Sequence, residues 1–360
     1  MSHVETLALP ALADRGGPAQ PLLIVKNLRK HFRVRGGWFE RNPQVLRAVD
    51  GVSFSVNKGE TLGIVGESGC GKSTTARLIA RLLPADGGEM LFDGDGVDQF
   101  GGMALKEFRR NLQMVFQDSF ASLNPRMAAL DAIAYGPQVH GLAKAAARAR
   151  AGALLERVGL APQQFASRYP HELSGGQRQR VNIARALAYE PRLLILDEAV
   201  AALDKSVQAQ VLNLLQELKA ERGLTYIFIS HDLHVVHYLA DRVLVMYLGA
   251  VIEIGPVERV YEQPRHPYTR ALLSAVPSMN PAQRTERSPL SGDPPNPINP
   301  PSGCRFRDRC EHAHSVCASV APLLRETTAG HWSACHLDDA GSGHPDASAH
   351  TPHTTHAIRT

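Results

Sequence analysis

Residues 66–74 read Gly66-Glu67-Ser68-Gly69-Cys70-Gly71-Lys72-Ser73-Thr74, and this stretch decides how the rest of the chain is read. An apolar run, TLGIV at 61–65, precedes it, and the helical pattern TARLIARLL follows, so the order is strand, loop, helix. Gly66, Gly71, Lys72 and Ser73 satisfy the spacing GxxxxGK[ST]. Glycines at these places let successive backbone N–H groups turn inward around a phosphate chain, and the helix that follows points its positive end at the same spot. Lys72 would then reach the terminal phosphates, and the Ser73 hydroxyl would ligate Mg²⁺. Glu67, Ser68, Gly69, Cys70 and Thr74 complete the candidate binding loop. Only the backbone amide of Cys70 is needed there, so its thiol is assigned no role.

Other segments carry chemistry that a phosphate loop requires. LLILDE, at 193–198, is an apolar run ending in two carboxylates. Asp197 at such a strand end would support the Mg²⁺ ion, and Glu198 would orient a water in line with the γ-phosphate. TYIFISHDL delivers His231 just past a strand, and QMVFQ ends on Gln117. In open α/β sheets ligands gather outside the carboxyl ends of strands, which makes His231 a candidate γ-phosphate contact. In ELSGGQRQRVNIARAL, Ser174-Gly175-Gly176 precedes an amphipathic helix and forms a second anion-ready helix start. Phe32, at the end of the first strand, is either a core aromatic or a platform for an adenine ring.

A chain of 360 residues is long enough for about two domains. Its net charge is only +4, with basic residues spread along the sequence, so composition gives no nucleic-acid footprint. No uninterrupted apolar run approaches the ~18 residues of a membrane span, and no secretory signal is read at the start. Residues 1–21 read as a loose arm. Residues 119–180, rich in Ala and Leu at helical spacing, read as a helical insertion in an α/β core.

The phosphate loop, Gln117, LSGGQ (173–177), LLILDE and His231, in this order, resemble the ATP-binding subunit of ABC transporters over about 22–262. The resemblance implies a P-loop NTPase fold and two such subunits head to tail, each ATP held by one subunit's phosphate loop and the other's Ser174, Gly175, Gly176 and Gln177. It also implies that Phe32 stacks adenine, that Gln117 senses the metal, and that Asp204 lies in the loop joining the two sites. One departure is Ala201, where family members commonly carry serine. The segments from Tyr261 (YEQPRHPYTR) and from Ser288 (SPLSGDPPNPINPPSGCRFRDRC) resemble the extension of oligopeptide and dipeptide importer ATPases, expected here as a small Pro- and Cys-rich domain over 263–337. The implied partners are two membrane permease subunits, a second related ATPase in a heterodimer, with a homodimer of this chain as the alternative, and, indirectly, a substrate-binding protein. The implied location is the cytoplasmic face of the membrane. A soluble ABC ATPase acting on ribosomes or DNA is the competing reading, and one ATP-binding unit without sustained heptads argues against it.

Cys304, Cys310, Cys317 and Cys335 fall in the extension with spacing Cx5Cx6Cx17C, which lacks the CxxC knuckles of zinc ribbons. Four thiolates suit an iron–sulfur cluster, zinc or no metal, and the family resemblance points to [4Fe–4S]. Residues 338–360, with His344, His350, His353 and His356, read as a disordered polar tail.

Overall fold

The computed structural model describes residues 17, 20–34, 44–97, 102–201, 203–275 and 296–347. In chain order it contains β1 (Leu23–Val34), β2 (Gln44–Val56), β3 (Thr61–Val65), α1 (Lys72–Ile79), β4 (Gly87–Phe92), β5 (Asp95–Gly96), α2 (Leu105–Asn111) and β6 (Leu112–Val115). Then come α3 (Ala129–Val139), α4 (Lys144–Arg157), α5 (Pro162–Phe165), α6 (Gly175–Leu187), β7 (Leu193–Asp197), α7 (Lys205–Arg222), β8 (Thr225–Ile229), α8 (Leu233–Leu239), β9 (Arg242–Tyr247) and β10 (Ala250–Pro256). The chain continues with α9 (Val257–Glu262), α10 (Pro267–Ser274), α11 (Ser315–Ser319), β11 (Arg325–Thr328) and β12 (His331–Ser333). The chain packs as two units, Met1–Leu23 with Val56–Glu60 and Leu91–Ile229, and Ile24–Ser55 with Thr61–Met90 and Ser230–Thr360.

In the first unit β6, β7 and β8 are parallel, with Leu193 opposite both Leu112 and Thr225. All five residues of β7 and of β8 are buried, which is why both read as continuous apolar runs and not as alternations. The Ala- and Leu-rich segment forms α3 to α6, with α3 packed on α4 and on α6. Small side chains allow this close approach, and Ala147 and Ala151 on α4 are fully buried.

In the second unit β3 runs parallel to β9, which pairs antiparallel with β10. β12 then covers β10, with Glu253 opposite Ser333, and β11 covers β12. The extension therefore does not stand apart as the small separate domain expected from sequence. Its strands continue the sheet and shield what would otherwise be the exposed edge of β10. Glu253, at 0% exposure, fastens this junction. One carboxylate oxygen faces His331 Nε2 at 2.7 Å and accepts from the Arg265 N–H at 2.8 Å, and the other accepts from the His266 N–H at 2.9 Å. Burial would raise its pKa, but these contacts outweigh burial and hold it below the ordinary carboxylate value.

The first part of the segment read from sequence as a disordered polar tail is ordered. Residues 338–347 are placed, and His344 is buried with its Nε2 at 2.8 Å from the His312 carbonyl. His350, His353 and His356 lie outside the described residues, as do residues 1–16 of the expected arm.

Candidate functional site

In the second unit β3 ends in the phosphate loop and α1 begins at Lys72. Gly66 and Gly71 adopt φ of 148° and 107°, and a Cβ at either would lie 2.3 Å from the Met246 carbonyl oxygen or 2.2 Å from that of Ala48. Only glycine fits these two turns. Lys72, 5% exposed, donates to the carbonyls of Gly66 at 2.7 Å and Glu67 at 3.0 Å, and its Nζ lies 3.8 Å from Cys70 Sγ. Burial pushes the Cys70 thiol above its ordinary pKa, so the sulfur remains a protonated, inert group. Ser68 and Gly69 are exposed at the loop tip, and Ser73 and Thr74 are half-buried in the first turn of α1.

Glu67 departs from the role its place in the motif implies. Its backbone N–H donates to the Tyr268 hydroxyl at 2.8 Å, and its carboxylate receives the Arg309 guanidinium. Both groups are thus committed to the C-terminal extension, and sequence spacing gave no sign of it. In the same unit Ser230 donates its N–H to the Ile64 carbonyl at 3.4 Å, and exposed His231 is the next residue. Phe32 lies within β1, half-buried, with Lys30 Nζ 5.6 Å from its ring centroid. It is neither a core side chain nor a bare platform.

In the first unit Asp197 closes β7 at 2% exposure, and Glu198 turns away from it with φ of 49°. A left-handed glutamate is strained, and it persists here because its N–H is fixed on the Ile229 carbonyl at 2.9 Å. Gln117, two residues past β6, donates Nε2 to Glu198 Oε2 at 2.7 Å. The structure thus brings together Gln117 and Glu198, two residues 81 positions apart. Ser174 is the N-cap of α6 in a reciprocal box: its Oγ accepts from the Gln177 N–H at 3.2 Å, and Gln177 Oε1 accepts from the Ser174 N–H at 2.9 Å. Asp204 caps α7, its Oδ1 accepting from the Val207 N–H at 2.9 Å.

Cys304, Cys310, Cys317 and Cys335 line one small, mainly apolar cavity together with His266, Phe306, His312, His336 and His344. Cys317 sits on α11, the others on irregular segments. Burial raises the thiol of Cys304 to about 11 and that of Cys335 to about 12. Among the described residues no group of three or more His, Cys, Asp or Glu is arranged to hold a metal ion. The donors suit a soft metal or a cluster in type and share one cavity, but their side chains are not set at ligating positions.

Among the described residues no helix is long and apolar enough to cross a membrane. The ABC transporter family profile matches residues 49–201, and that of the oligopeptide/dipeptide transporter C-terminal region matches residues 252–317. The oligopeptide transport ATP-binding protein AppF of Bacillus subtilis is 49% identical over 322 residues, 88% of this chain and 98% of that protein. A Brucella ovis chain named provisionally as a peptide import ATP-binding protein is 49% identical over 320 residues, 89% of this chain and 98% of its own length. Among solved structures, a dimeric ATP-binding cassette in a post-hydrolysis state with ADP and phosphate superimposes with a TM-score of 0.56 at 29% identity, over 65% of this chain and 98% of that one. With the phosphate loop, the acidic strand end and the SGGQ helix start in place, these likenesses show that the chain belongs to the ATP-binding subunits of ABC transporters.

Proposed function

We propose that this chain is the ATPase that drives import of dipeptides or oligopeptides through a pair of membrane permease subunits, bound peripherally at the cytoplasmic face. The observation that carries the reading is the pairing of an ABC core with a peptide-transporter extension in one chain. A second, related ATPase would complete the dimer, and a separate binding protein would deliver the peptide. The alternative of a soluble ATPase working on ribosomes or DNA has no feature in its favour here.

In this reading the amides of the phosphate loop and Lys72 hold the β- and γ-phosphates, and Phe32 supports the adenine. Ser73, Gln117 and Asp197 would hold Mg²⁺, which neutralises phosphate charge as the bond to the leaving group breaks. Glu198, oriented by Gln117, positions the attacking water and accepts its proton late, while His231 donates toward the γ-phosphate. Ser174 and the amides of Gly175 and Gly176 clamp the γ-phosphate bound by the partner ATPase, and Asp204 lies between the two sites. ATP binds the closed dimer more tightly than the open one, and loss of the γ-phosphate reverses that preference and moves the permeases.

The reading of the four cysteines as holders of a [4Fe–4S] cluster that staples the extension rests on the family resemblance alone, since their side chains share a cavity but stand off ligating positions. No step of hydrolysis runs through such a cluster. Iron analysis of chain purified without air tests this part.

The decisive experiment is affinity purification of the tagged chain from detergent-solubilised membranes. Two membrane-spanning subunits and a different ATPase are expected to co-purify and to support ATP-dependent peptide uptake in vesicles. Recovery with ribosomes or DNA in the soluble fraction overturns the transport reading.

A further inference from the structure

Inside the second unit the C-terminal extension grips the phosphate loop directly on one flank and, on the other, braces the β9–β10 turn that contacts it. On one, Glu67 donates its N–H to the Tyr268 hydroxyl at 2.8 Å. Its carboxylate accepts a two-pronged contact from Arg309, Nη1 to Oε2 at 2.7 Å and Nη2 to Oε1 at 3.0 Å. The Arg309 side chain is 6% exposed and that of Glu67 21%, so water screens this pair far less than a surface ion pair. Tyr268 is fully buried, its ring 4.6 Å from that of Tyr247 and 5.4 Å from that of Phe306. Aromatic packing therefore fixes where its hydroxyl stands. On the other flank the Gly249 N–H donates to the Cys70 carbonyl at 2.8 Å, and the Arg305 guanidinium bonds the Leu248 carbonyl and, at 2.6 Å, the Asp50 carboxylate.

A carboxylate in the loop that must accept a triphosphate is an electrostatic liability. Swung toward the phosphates, Glu67 would repel them, and in a partly buried setting that repulsion is weakly screened. Arg309 holds the carboxylate on the extension and cancels its charge. Arg309 itself adjoins Cys310, and His266 and Pro267, next to Tyr268, line the cysteine cavity. A change in that cavity therefore reaches Glu67 through one or two residues.

We propose that Arg309 and Tyr268 are positioning residues for ATP binding: the extension draws Glu67 away from the phosphates and fixes the first turn of the loop, so that ATP affinity depends on the cysteine-bearing extension. The proposal rests on reading Gly66 to Thr74 as the phosphate loop.

The test is equilibrium binding of Mg-ATP to the full chain, followed by displacement of a fluorescent ATP analogue. Arg309→Met, which keeps the stem and removes the fork, is expected to raise Kd about tenfold, with Arg309→Lys recovering part of the loss. The double variant Arg309→Met/Glu67→Gln is expected to bind within about twofold of wild type, because the repelling charge leaves with its partner. Tyr268→Phe, which keeps the ring and removes the acceptor, is expected to weaken binding about threefold. A residue that only stabilised the fold would lower Tm without changing the Kd of the folded protein, and Glu67→Gln would not rescue its loss. Wild-type affinity in folded Arg309→Met, or a double variant as weak as the single, overturns the proposal. If Arg309→Met does not fold, Glu67→Gln decides: binding at least as tight as wild type supports it, and weaker binding overturns it. Lys72→Ala separates the two levels. If it binds Mg-ATP as wild type does, the phosphate-loop reading fails, whatever the arginine variants show.

Discussion

Two helix starts in this molecule read alike in sequence and are built in opposite ways. α1 begins at Gly71 with φ of 107°, no side-chain cap and no acidic residue in its first turn. α6 begins at Ser174 inside a complete capping box with Gln177. An uncapped start forgoes about 1 kcal/mol of helix stability, and it is tolerable where the amides have another task. At α6 the third amide is already spent on the serine oxygen. A hydroxyl has one proton and two acceptor sites, so after accepting from Gln177 it can still donate outward. The first start offers backbone amides, and the second offers a hydroxyl proton with the Gly175 and Gly176 amides behind it. That difference suits a helix that owns a phosphate chain and one that visits the end of another subunit's.

The largest expected effect comes from breaking the bare start. In Gly71→Ala the new Cβ would sit 2.2 Å from the Ala48 carbonyl oxygen on a backbone that side chains rarely adopt. Lys72 and the first-turn amides would shift with it, and Mg-ATP binding is expected to fall by more than about a hundredfold, measured by analogue displacement. Unchanged binding would show that α1 does not hold the phosphates.

Breaking the capped start should do something different. Ser174→Ala removes both cap and hydroxyl and is expected to cost about 1 kcal/mol in urea unfolding, whereas Ser174→Gly costs only a few tenths. Hydrolysis by the assembled transporter is expected to fall ten- to a hundredfold in both, with ATP affinity of the isolated chain unchanged. If the glycine variant hydrolyses at the wild-type rate, Ser174 is a cap and nothing more.

The same contrast explains how much could be read from the chain. Motifs whose spacing is local were legible: the phosphate loop, the SGGQ start and the acid pair after a buried strand all fall where the pattern puts them, because each is a few residues at one strand or helix end. The partners of those residues were not. Nothing in the spacing tells that Glu67 faces Arg309, 242 positions away, or that Gln117 meets Glu198. Such pairs are set by tertiary packing, which a single sequence does not encode in its period. The sequence does carry one signal of such a tertiary partnership. A glutamate in the apolar strand AVIEIG is costly to bury, and Glu253 is there because three donors from the extension meet it. The positive φ of Glu198 left no trace in sequence, since strain at a site is imposed from outside.

A third helix start sharpens the comparison with a smaller effect. α10 is capped by His266, whose Nδ1 accepts from the Tyr268 N–H at 3.0 Å. Only the neutral ring can accept there, and burial pushes the His266 pKa down to about 4, with Glu253 pulling it up and Arg270 pressing it further down. A base whose folded pKa lies below its unfolded value of about 6.5 stabilises fully above that value and loses the contribution as pH falls toward the folded pKa. The loss should reach about 1 kcal/mol by pH 5.5, read from urea unfolding at a series of pH values. Glu253, also depressed, acts in a lower window, since its contribution is complete above about 4.5. His266→Asn keeps an acceptor at the cap and has no proton to gain, so its stability should fall less than that of wild type between pH 6.5 and 5.5, the remaining slope coming from groups such as His140, whose pKa burial also lowers. A slope equal to wild type would assign the effect to another group. The serine cap of α6 cannot titrate in this range and α1 has no side-chain cap to lose, so acid should loosen the HPYT helix first and, because Tyr268 receives the Glu67 amide, weaken ATP binding slightly while leaving the SGGQ start intact.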